Sequence, residues 1–481
     1  MDVIVVGAGS AGSVLARRLV DAGAAVTLLE AGGEDVNPAI HDPSRAGELW
    51  HGPEDWDYYT VPQKHAANRR LHLPRGKVLG GSHALNAMVW VRGAPADYDG
   101  WGQPGWAWDD VRPVFERIEK DLLPVVPNEP LHPVQQSIVD AARQVGLPFN
   151  PDYNGSALGG VSVQQITARD GRRSTTWSAY ALPVAGRMTV HTGATVHRLR
   201  CEGTRVTGVV AEIGGSLRSL PADLVVLAAG ALASPAILLR SGIGPADELA
   251  AHGIAVAADL PGVGRNLHDH LLAPVLFATD RREVTRPGPG QSVTQTHLFW
   301  RSREGLAVPD TQPICFSVPM YEPWMTGPPT GFSLMAGMVS PESRGSVRLS
   351  GPSPDDELLI DLAALAEPAD FESLVASVEQ CREIGRAPAL AGEWGARPLY
   401  PSLGDDVREY VRRAAITYHH QVGTCRMGRD ELSVVGPDLA VHGLDGLRIA
   451  DASVLPRVTT GNTNAPAVLV GEQAARFILG G

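Results

Sequence analysis

At the start of the chain the apolar residues first form a continuous run and then recur at helical spacing. Residues 3–6 form a β-branched apolar run that predicts a buried parallel strand, and Gly7 ends it. Apolar residues then recur at helical spacing over residues 11–22, and a second strand-like run over residues 25–29 ends at Glu30. Strand, turn, helix and strand within about thirty residues form the unit from which parallel nucleotide-binding sheets are built.

Two later segments show the same buried-strand pattern. Residues 224–229 precede Gly230 and an apolar helix over 235–239, and residues 447–450 precede Asp451. We therefore predict one discontinuous nucleotide-binding domain that draws on the beginning, middle and end of the chain. Its predicted stretches are 1–115, 185–270 and 435–481.

The remaining stretches, 116–184 and 271–434, have a different character and form the predicted substrate-binding domain. The first is rich in proline and glycine. The second mixes strand-like runs over 331–339 and 345–349 with a helical stretch over 370–384. A length of 481 residues exceeds what one core normally serves, which also favours two domains.

Composition excludes several classes of function. The net charge is −12 without a basic run, so we expect no nucleic-acid partner. Four widely spaced cysteines argue against a disulfide framework, a zinc site or an iron–sulfur cluster, and we predict no metal. Neither a signal segment nor a transmembrane run is visible, so we expect a cytoplasmic protein, with membrane contact at most peripheral.

The first motif is Gly7-x-Gly9-x-x-Gly12, placed between strand and helix, with Glu30 eighteen residues later. Gly7 permits the tight turn, Gly9 lets the backbone approach a pyrophosphate, and Gly12 lets the helix pack on the strand. The helix N-terminus offers unpaired N–H groups to phosphates, and Glu30 is placed to accept hydrogen bonds from ribose hydroxyls. This motif alone leaves FAD and NAD both open.

The second motif runs from Arg75 to Gly93 and contains the adjacent glycines Gly80 and Gly81. Small residues there allow the backbone to lie against a flat ring system. A glycine-rich turn at a domain boundary is the alternative interpretation.

Three further motifs join these two segments, and the five together extend over essentially the whole chain. The further motifs cover residues 230–245, 260–270 and the C-terminal positions 420–424, 451–453 and 461–466. In this order they resemble the glucose-methanol-choline (GMC) oxidoreductase family, with a choline dehydrogenase-like pattern. The chain is short for the family, which points to a compact bacterial member; a mycofactocin-associated branch is one possibility.

The resemblance implies an α/β fold: a discontinuous Rossmann-like FAD-binding domain plus an α+β substrate-binding domain with an antiparallel sheet. It also implies FAD as cofactor. The implied cofactor-binding positions are Gly7, Gly9, Ser10, Ala11, Gly12, Glu30, Ala31, Gly76, Val78, Gly81, Ser82, Asn86, Ala87, Met88, Val89, Val196, Ala229, Asp451, Ala452, Asn464 and Ala465.

The C-terminal motif is expected to carry the chemistry. Alcohol oxidation removes a hydride, which flavin N5 accepts, and a proton, which a histidine can take at neutral pH. By resemblance, His420 is that catalytic base and Asn464 the second active-site residue, which hydrogen-bonds the substrate oxygen. Asn464 is also predicted to cap a C-terminal helix over 468–479. For the adjacent His419 a structural role is favoured.

Two histidines depart from the family pattern, which usually has Ser and Gln at the positions of His83 and His268. Some relatives attach FAD through a histidine whose position corresponds to Leu85 here, so we expect non-covalent FAD. The expected partners are a small alcohol and an electron acceptor, either O2, a quinone or a respiratory carrier. A hydroxynitrile lyase with redox-inert FAD is the alternative function.

Overall fold

The computed structural model describes residues 1–480 and contains two principal sheets. The strands, in chain order, are β1 Asp2–Val6, β2 Ala25–Leu29, β3 Tyr58–Tyr59, β4 His72–Leu73, β5 Val125–Pro127, β6 Gly160–Val163, β7 Gln165–Arg169, β8 Arg172–Arg173, β9 Thr189–His191, β10 Ala194–Glu202, β11 Arg205–Ile213, β12 Ser216–Pro221, β13 Leu224–Leu227, β14 Ile243–Gly244, β15 Ala258–Asp259, β16 Leu271–Thr279, β17 Thr294–Phe299, β18 Ile314–Phe316, β19 Phe332–Met338, β20 Ser346–Leu349, β21 Leu358–Asp361, β22 Ala396–Tyr400, β23 Ile416–Thr417 and β24 Leu447–Ile449.

The helices pack around these sheets. They are α1 Ser10–Asp21, α2 Pro38–His41, α3 Pro95–Trp101, α4 Trp108–Asp121, α5 Pro133–Gln144, α6 Gly230–Arg240, α7 Ala246–Ala251, α8 Pro368–Arg386, α9 Pro388–Ala391, α10 Val407–Ala414 and α11 Asn464–Leu479. Within residues 1–480, each helix is too short or too polar to cross a membrane.

The first principal sheet is parallel, with the strand order β24-β13-β1-β2-β9. Its central strand β1 is apolar and buried from Val3 to Val6, as a parallel strand covered on both faces must be. Its strands all come from the three stretches assigned to the discontinuous domain. The predicted Rossmann-like sheet is confirmed, whereas the domain boundaries stay a prediction.

The second principal sheet is antiparallel and has seven strands. Six of them follow the order β22-β16-β19-β18-β17-β6, and β23 pairs with β16 as well. Every residue of β17 and β19 is buried; helix α5 packs against β17 and helix α8 packs against β19. The antiparallel sheet predicted for the substrate-binding part is therefore also confirmed.

The C-terminal helix α11 packs directly on the N-terminal helix α1. Arg18 of α1 donates three hydrogen bonds to the buried Glu472 of α11, at 2.8, 3.0 and 3.2 Å. This contact brings the first and last elements of the chain together, so that the start of α11 lies beside the glycine turn.

Candidate active site

A cavity of about 670 Å³ is lined by residues from both principal sheets. We divide its lining into two parts. The glycine wall comprises Gly7, Gly9, Ser10, Glu30, Gly81 and Val196, and the histidine wall comprises Leu272, Ile314, Phe316, Met335, Tyr418, His420 and Asn462. The volume lies in the range of ordinary ligand and cofactor sites.

The predicted cofactor-binding residues fall into two groups. Those that line the cavity are Gly7, Gly9, Ser10, Ala11, Glu30, Ala31, Gly76, Gly81, Ser82, Asn86, Ala87, Val89, Val196, Ala229, Asp451, Ala452 and Asn464. The structure places the other four, Gly12, Val78, Met88 and Ala465, outside the lining.

Each of these four residues packs against other parts of the protein. Gly12 lies under the turn, where an added Cβ would come within 1.9 Å of the Gly7 carbonyl oxygen. Val78 and Met88 are buried in small apolar clusters, and Ala465 is fully buried at the start of α11. A linear motif does not distinguish residues that face a ligand from residues that support the backbone behind them.

The glycine wall is formed where two stretches of backbone meet. Gly81 has a φ of +54°, and a Cβ on it would lie 2.7 Å from the Gly9 Cα. Helix α1 begins at Ser10, so its free N–H groups open onto the same surface. A surface of bare backbone with a positive helix end suits a pyrophosphate, and the donor set therefore fits FAD.

Glu30 directly follows strand β2 and is almost fully buried. Its carboxylate accepts hydrogen bonds from the backbone N–H groups of Ala8 and Gly32, both at 2.9 Å. Burial nevertheless raises the pKa of Glu30 to about 7. The carboxylate holds the glycine turn and lines the cavity, which suits the predicted contact with ribose hydroxyls.

Asp451 holds a second turn of the cavity lining. Its carboxylate accepts from the Gly230 N–H at 2.9 Å, the Ser234 hydroxyl at 2.5 Å and the Ser453 N–H at 2.8 Å. Burial raises the pKa of Asp451. These contacts fix the backbone of the turn that follows β24.

His420 lies in the loop after β23, on the histidine wall. Its Nε2 is 3.2 Å from the amide nitrogen of Asn462, and its Nδ1 is 3.0 Å from Nδ1 of His270. Burial lowers the pKa of His420 well below the usual range, and the neighbouring His270, His419 and Arg75 lower it further. His420 is therefore a neutral imidazole at pH 7, which is the form that a base requires.

The backbone of His420 is fixed by Asp269. One carboxylate oxygen of Asp269 accepts from the His420 N–H at 2.7 Å, and the other accepts from the Gln421 side chain. Burial raises the pKa of Asp269 to about 7, although the nearby Arg75 opposes the shift. Arg75 in turn donates to the His419 carbonyl oxygen at 2.5 Å.

The structure places Asn464, the predicted second active-site residue, in the cavity lining beside Ser10 and His83. The asparagine that contacts His420 Nε2 is Asn462, at 3.2 Å, whereas the Asn464 oxygen accepts from the Ser10 hydroxyl at 2.7 Å and its amide nitrogen is 3.2 Å from His83 Nε2. The physical reason is that α11 has already begun at Asn464, so its side chain turns toward α1. Asn464 is also the first helical residue rather than the cap, which is Thr463.

The two unusual histidines are engaged by protein groups. His83 Nδ1 accepts from the Thr176 N–H at 3.2 Å, and its Nε2 lies 2.9 Å from the Thr167 hydroxyl. His268 Nδ1 contacts the Asn266 carbonyl at 2.6 Å, and its Nε2 accepts from the Val458 N–H at 2.9 Å. Both side chains are buried and have structural roles.

Sequence reasoning missed five side chains around His420. They are Arg75, Asp269, His270, Gln312 and Asn462. The segment Asn462-Thr463-Asn464 offered a signal, because either asparagine could be the second residue. Only the starting point of α11 determines which of the two asparagines lies beside His420.

A cluster of His51, Asp57 and His72 lies next to Trp50, a residue of the cavity lining. His51 Nδ1 and His72 Nε2 face the Asp57 carboxylate at 2.7 and 2.9 Å, and the three ligand atoms lie close enough to hold a metal ion. His51 and Asp57 are exposed, and exposed acidic groups are common without a bound ion. We assign no metal to them.

The comparison with protein families gives two matches. A GMC oxidoreductase N-terminal model matches residues 1–272, and the corresponding C-terminal model matches residues 341–471. The pyridoxine 4-oxidase of Microbacterium luteolum is 37% identical, with 98% of each chain covered. The oxygen-dependent choline dehydrogenase of Brucella ovis is 34% identical, over 100% of this chain and 95% of its own.

Solved structures agree with the sequence relatives. The crystal structure of pyridoxine 4-oxidase from Mesorbium loti superposes with a TM-score of 0.94 at 36% identity, over 99% of this chain and 98% of that one. Fold, glycine wall and relatives all lead to the same assignment. The chain therefore belongs to the GMC oxidoreductases, a family of FAD-dependent enzymes that includes alcohol and choline dehydrogenases and oxidases.

Proposed function

We propose that this protein oxidises an alcohol to a carbonyl compound, with His420 as the base and Asn462 as the residue that holds the alcohol oxygen. The observation that carries the proposal is the convergence of His420 Nε2 and the Asn462 amide, 3.2 Å apart, on the histidine wall. Bound FAD supplies the acceptor for the hydride that leaves the alcohol carbon.

His420 takes the proton of the alcohol O–H group at Nε2. Its lowered pKa keeps this nitrogen unprotonated at neutral pH, and Asp269 fixes the backbone so that the ring stays in place. Asn462 is held by Gln312, whose amide nitrogen donates to the Asn462 oxygen at 3.0 Å. The Asn462 amide group is then available to hydrogen-bond the substrate oxygen.

We also propose that FAD binds without a covalent bond. Leu85 lines the cavity at the position where some relatives attach the cofactor, and a leucine offers no nucleophile. His83, two residues earlier, has both ring nitrogens engaged by Thr167 and Thr176. Acid or heat denaturation should therefore release all of the flavin into the supernatant; flavin that stays with the precipitated protein would contradict this.

The histidine wall favours an alcohol with an apolar or aromatic body. Leu272 and Met335 come from neighbouring strands of the antiparallel sheet, with Ile314 and Phe316 from β18 beside them. Such side chains stabilise apolar groups by removing their surface from water. We therefore expect benzyl alcohol to be a better substrate than choline, which carries a permanent charge.

The test is anaerobic mixing of the holoprotein with benzyl alcohol, pyridoxine and choline, followed by the visible flavin absorbance. Loss of absorbance with an alcohol supports the proposal, and the loss should be fastest with an uncharged aromatic alcohol. Absorbance that no alcohol changes, together with cleavage of a hydroxynitrile, would establish the lyase instead.

Admission of air to the reduced protein then identifies the electron acceptor. Rapid return of the absorbance indicates O2 as the acceptor. Slow return in air that an added quinone accelerates indicates a quinone or another respiratory carrier.

A further inference from the structure

The imidazole rings of His270 and His420 face each other through like nitrogens. Their Nδ1 atoms are 3.0 Å apart, and the rings stand almost perpendicular at 86°. Two N–H groups at this distance would repel each other, and so would two lone pairs. One of the two nitrogens therefore carries a proton and donates it to the lone pair of the other.

The neighbouring amides determine which ring carries that proton. Gln312 donates to the Asn462 oxygen, so the Asn462 amide nitrogen is the atom that faces His420. This nitrogen donates to His420 Nε2, which must accept with its lone pair. A neutral imidazole has one proton, so His420 carries it on Nδ1 and donates it to His270.

We propose that His270 is a positioning residue for the base: it accepts the Nδ1–H of His420 and thereby keeps Nε2 unprotonated, so that Nε2 can take the substrate proton. This inference rests on the proposed function of His420. When the alcohol O–H bond breaks, the proton forms the second N–H bond of His420 and the electron pair stays on the alcohol oxygen. The His270 lone pair then stabilises the cationic ring through the same hydrogen bond.

The position of His270 follows from the sheet. Strands β16 and β23 are antiparallel, and Leu271 pairs with Thr417. The pairing continues beyond these strands, since the Tyr418 N–H donates to the His270 carbonyl oxygen at 2.9 Å and His268 pairs with Val422. His270 and His420 are therefore held by backbone contacts on both sides.

Other titratable groups surround the pair without contacting Nδ1 of His420. The Tyr418 ring stacks on the His420 ring at 4.6 Å, and Asp269 binds its backbone N–H. Arg75 and His419 lie nearby and lower the pKa of His420, and His268 lies close to His270. Burial lowers the pKa of His270 to about 3, so His270 stays neutral and can accept at working pH.

A purely structural role accounts poorly for His270. Its Nε2 is buried and lacks a hydrogen-bond partner among the described residues, which is costly for a polar atom. An apolar side chain would fill the same space without that cost. The ring is therefore best explained by what its Nδ1 does for His420.

The first test reads the tautomer directly in the wild-type holoprotein. Nitrogen NMR of ¹⁵N-histidine-labelled protein, with the His420 signals identified by their absence in His420→Asn, should show a proton on Nδ1 and a free Nε2. A proton on Nε2 of resting His420 would overturn the inference. This measurement does not depend on turnover, so it remains decisive if no alcohol reduces the flavin and the proposed function fails.

The second test compares His270→Leu with His270→Asn. The asparagine can still accept from His420 Nδ1, whereas the leucine cannot. We expect His270→Leu to lower the rate of flavin reduction about tenfold or more. His270→Asn should keep most of the wild-type rate. The acid limb of the pH profile should move to lower pH in His270→Leu alone, because the cationic ring has lost its acceptor.

Flavin content and thermal midpoint serve as controls for folding. An unchanged rate in His270→Leu would overturn the inference. Equal losses in both variants, with the acid limb unmoved, would reduce His270 to a packing residue.

Discussion

The glycine wall and the histidine wall of the cavity are built on different principles. The glycine wall is mostly backbone, contributed by the turn between β1 and α1 and by the loop at Gly81. The histidine wall is made of side chains from five separate segments, with Leu272, Ile314, Met335, His420 and Asn462 as examples. A backbone surface holds a common cofactor, whereas a side-chain surface can be changed to suit one reaction.

This difference predicts that substitutions in the two walls change different measurable properties of the protein. Changes in the glycine wall should reduce flavin content and leave the chemistry of the remaining holoprotein intact. Changes in the histidine wall should slow flavin reduction while the flavin stays bound. The following variants test this separation.

The largest effect is expected for His420→Ala. Loss of a positioned general base typically costs about 100- to 10,000-fold, so flavin reduction by the alcohol should slow by this order while flavin content stays normal. Stopped-flow reduction measures the rate. The matched control is His419→Asn, which tolerates the positive φ of 66° and should cost far less. Similar losses in both variants would contradict the assignment of the base.

Gly81→Ala should act on the other wall and abolish most flavin binding. The new Cβ would lie 2.7 Å from the Gly9 Cα, and alanine at a φ of +54° costs about 1–2 kcal/mol in addition. Flavin absorbance per mole of purified protein is the measurement. Gly33→Ala is the control, since nothing lies within 4 Å of its added Cβ and its φ is ordinary. Full flavin content in Gly81→Ala would disprove the close contact of the two backbones.

The same substitution two residues apart separates the two walls. Asn462 belongs to the histidine wall, and Asn464 contacts Ser10 of the glycine wall. Asn462→Ala should slow flavin reduction about tenfold with normal flavin content, because the substrate oxygen loses one hydrogen bond. Asn464→Ala should instead weaken flavin binding through its contact with Ser10. Titration of apoprotein with FAD and stopped-flow reduction separate the two. The reverse pattern would favour Asn464 as the second active-site residue.

The smallest expected effect concerns stability against pH. Burial lowers the pKa of His83, His268, His270, His297 and His419 to about 3 in the folded protein. Below pH 6.5 the unfolded chain binds protons at these histidines and the folded chain does not, so stability falls between pH 6.5 and 3.

Three carboxyl groups oppose this trend over part of the range. Burial raises the pKa of Glu30 and Asp269 to about 7 and of Asp97 to about 6, so below these values the folded protein holds protons that the unfolded chain has released. Five histidines outweigh three carboxyl groups, and the thermal midpoint should therefore fall from pH 6.5 to pH 5. His268→Gln removes one titrating group and should make this fall shallower. A midpoint that rises over the same interval would contradict the prediction.

Much of the glycine wall was predictable because its determinants are local. The strand, turn, helix and strand over residues 2–29 form one contiguous unit, and Glu30 follows it directly. The individual contacts were less predictable. Val78 and Met88 belong to the motif but pack into the interior, because a sequence pattern does not show which way a side chain points.

The sequence by itself determined the family, the parallel sheet, the cofactor turn and His420 as the candidate base. These follow from hydrophobic period and from short motifs whose residues act through the backbone next to them. The tertiary structure alone decided that Asn462 lies beside His420 and that His270 touches its other nitrogen. Those contacts join residues 42 and 150 positions apart, and they depend on strand pairing and on where α11 begins, which local pattern does not encode.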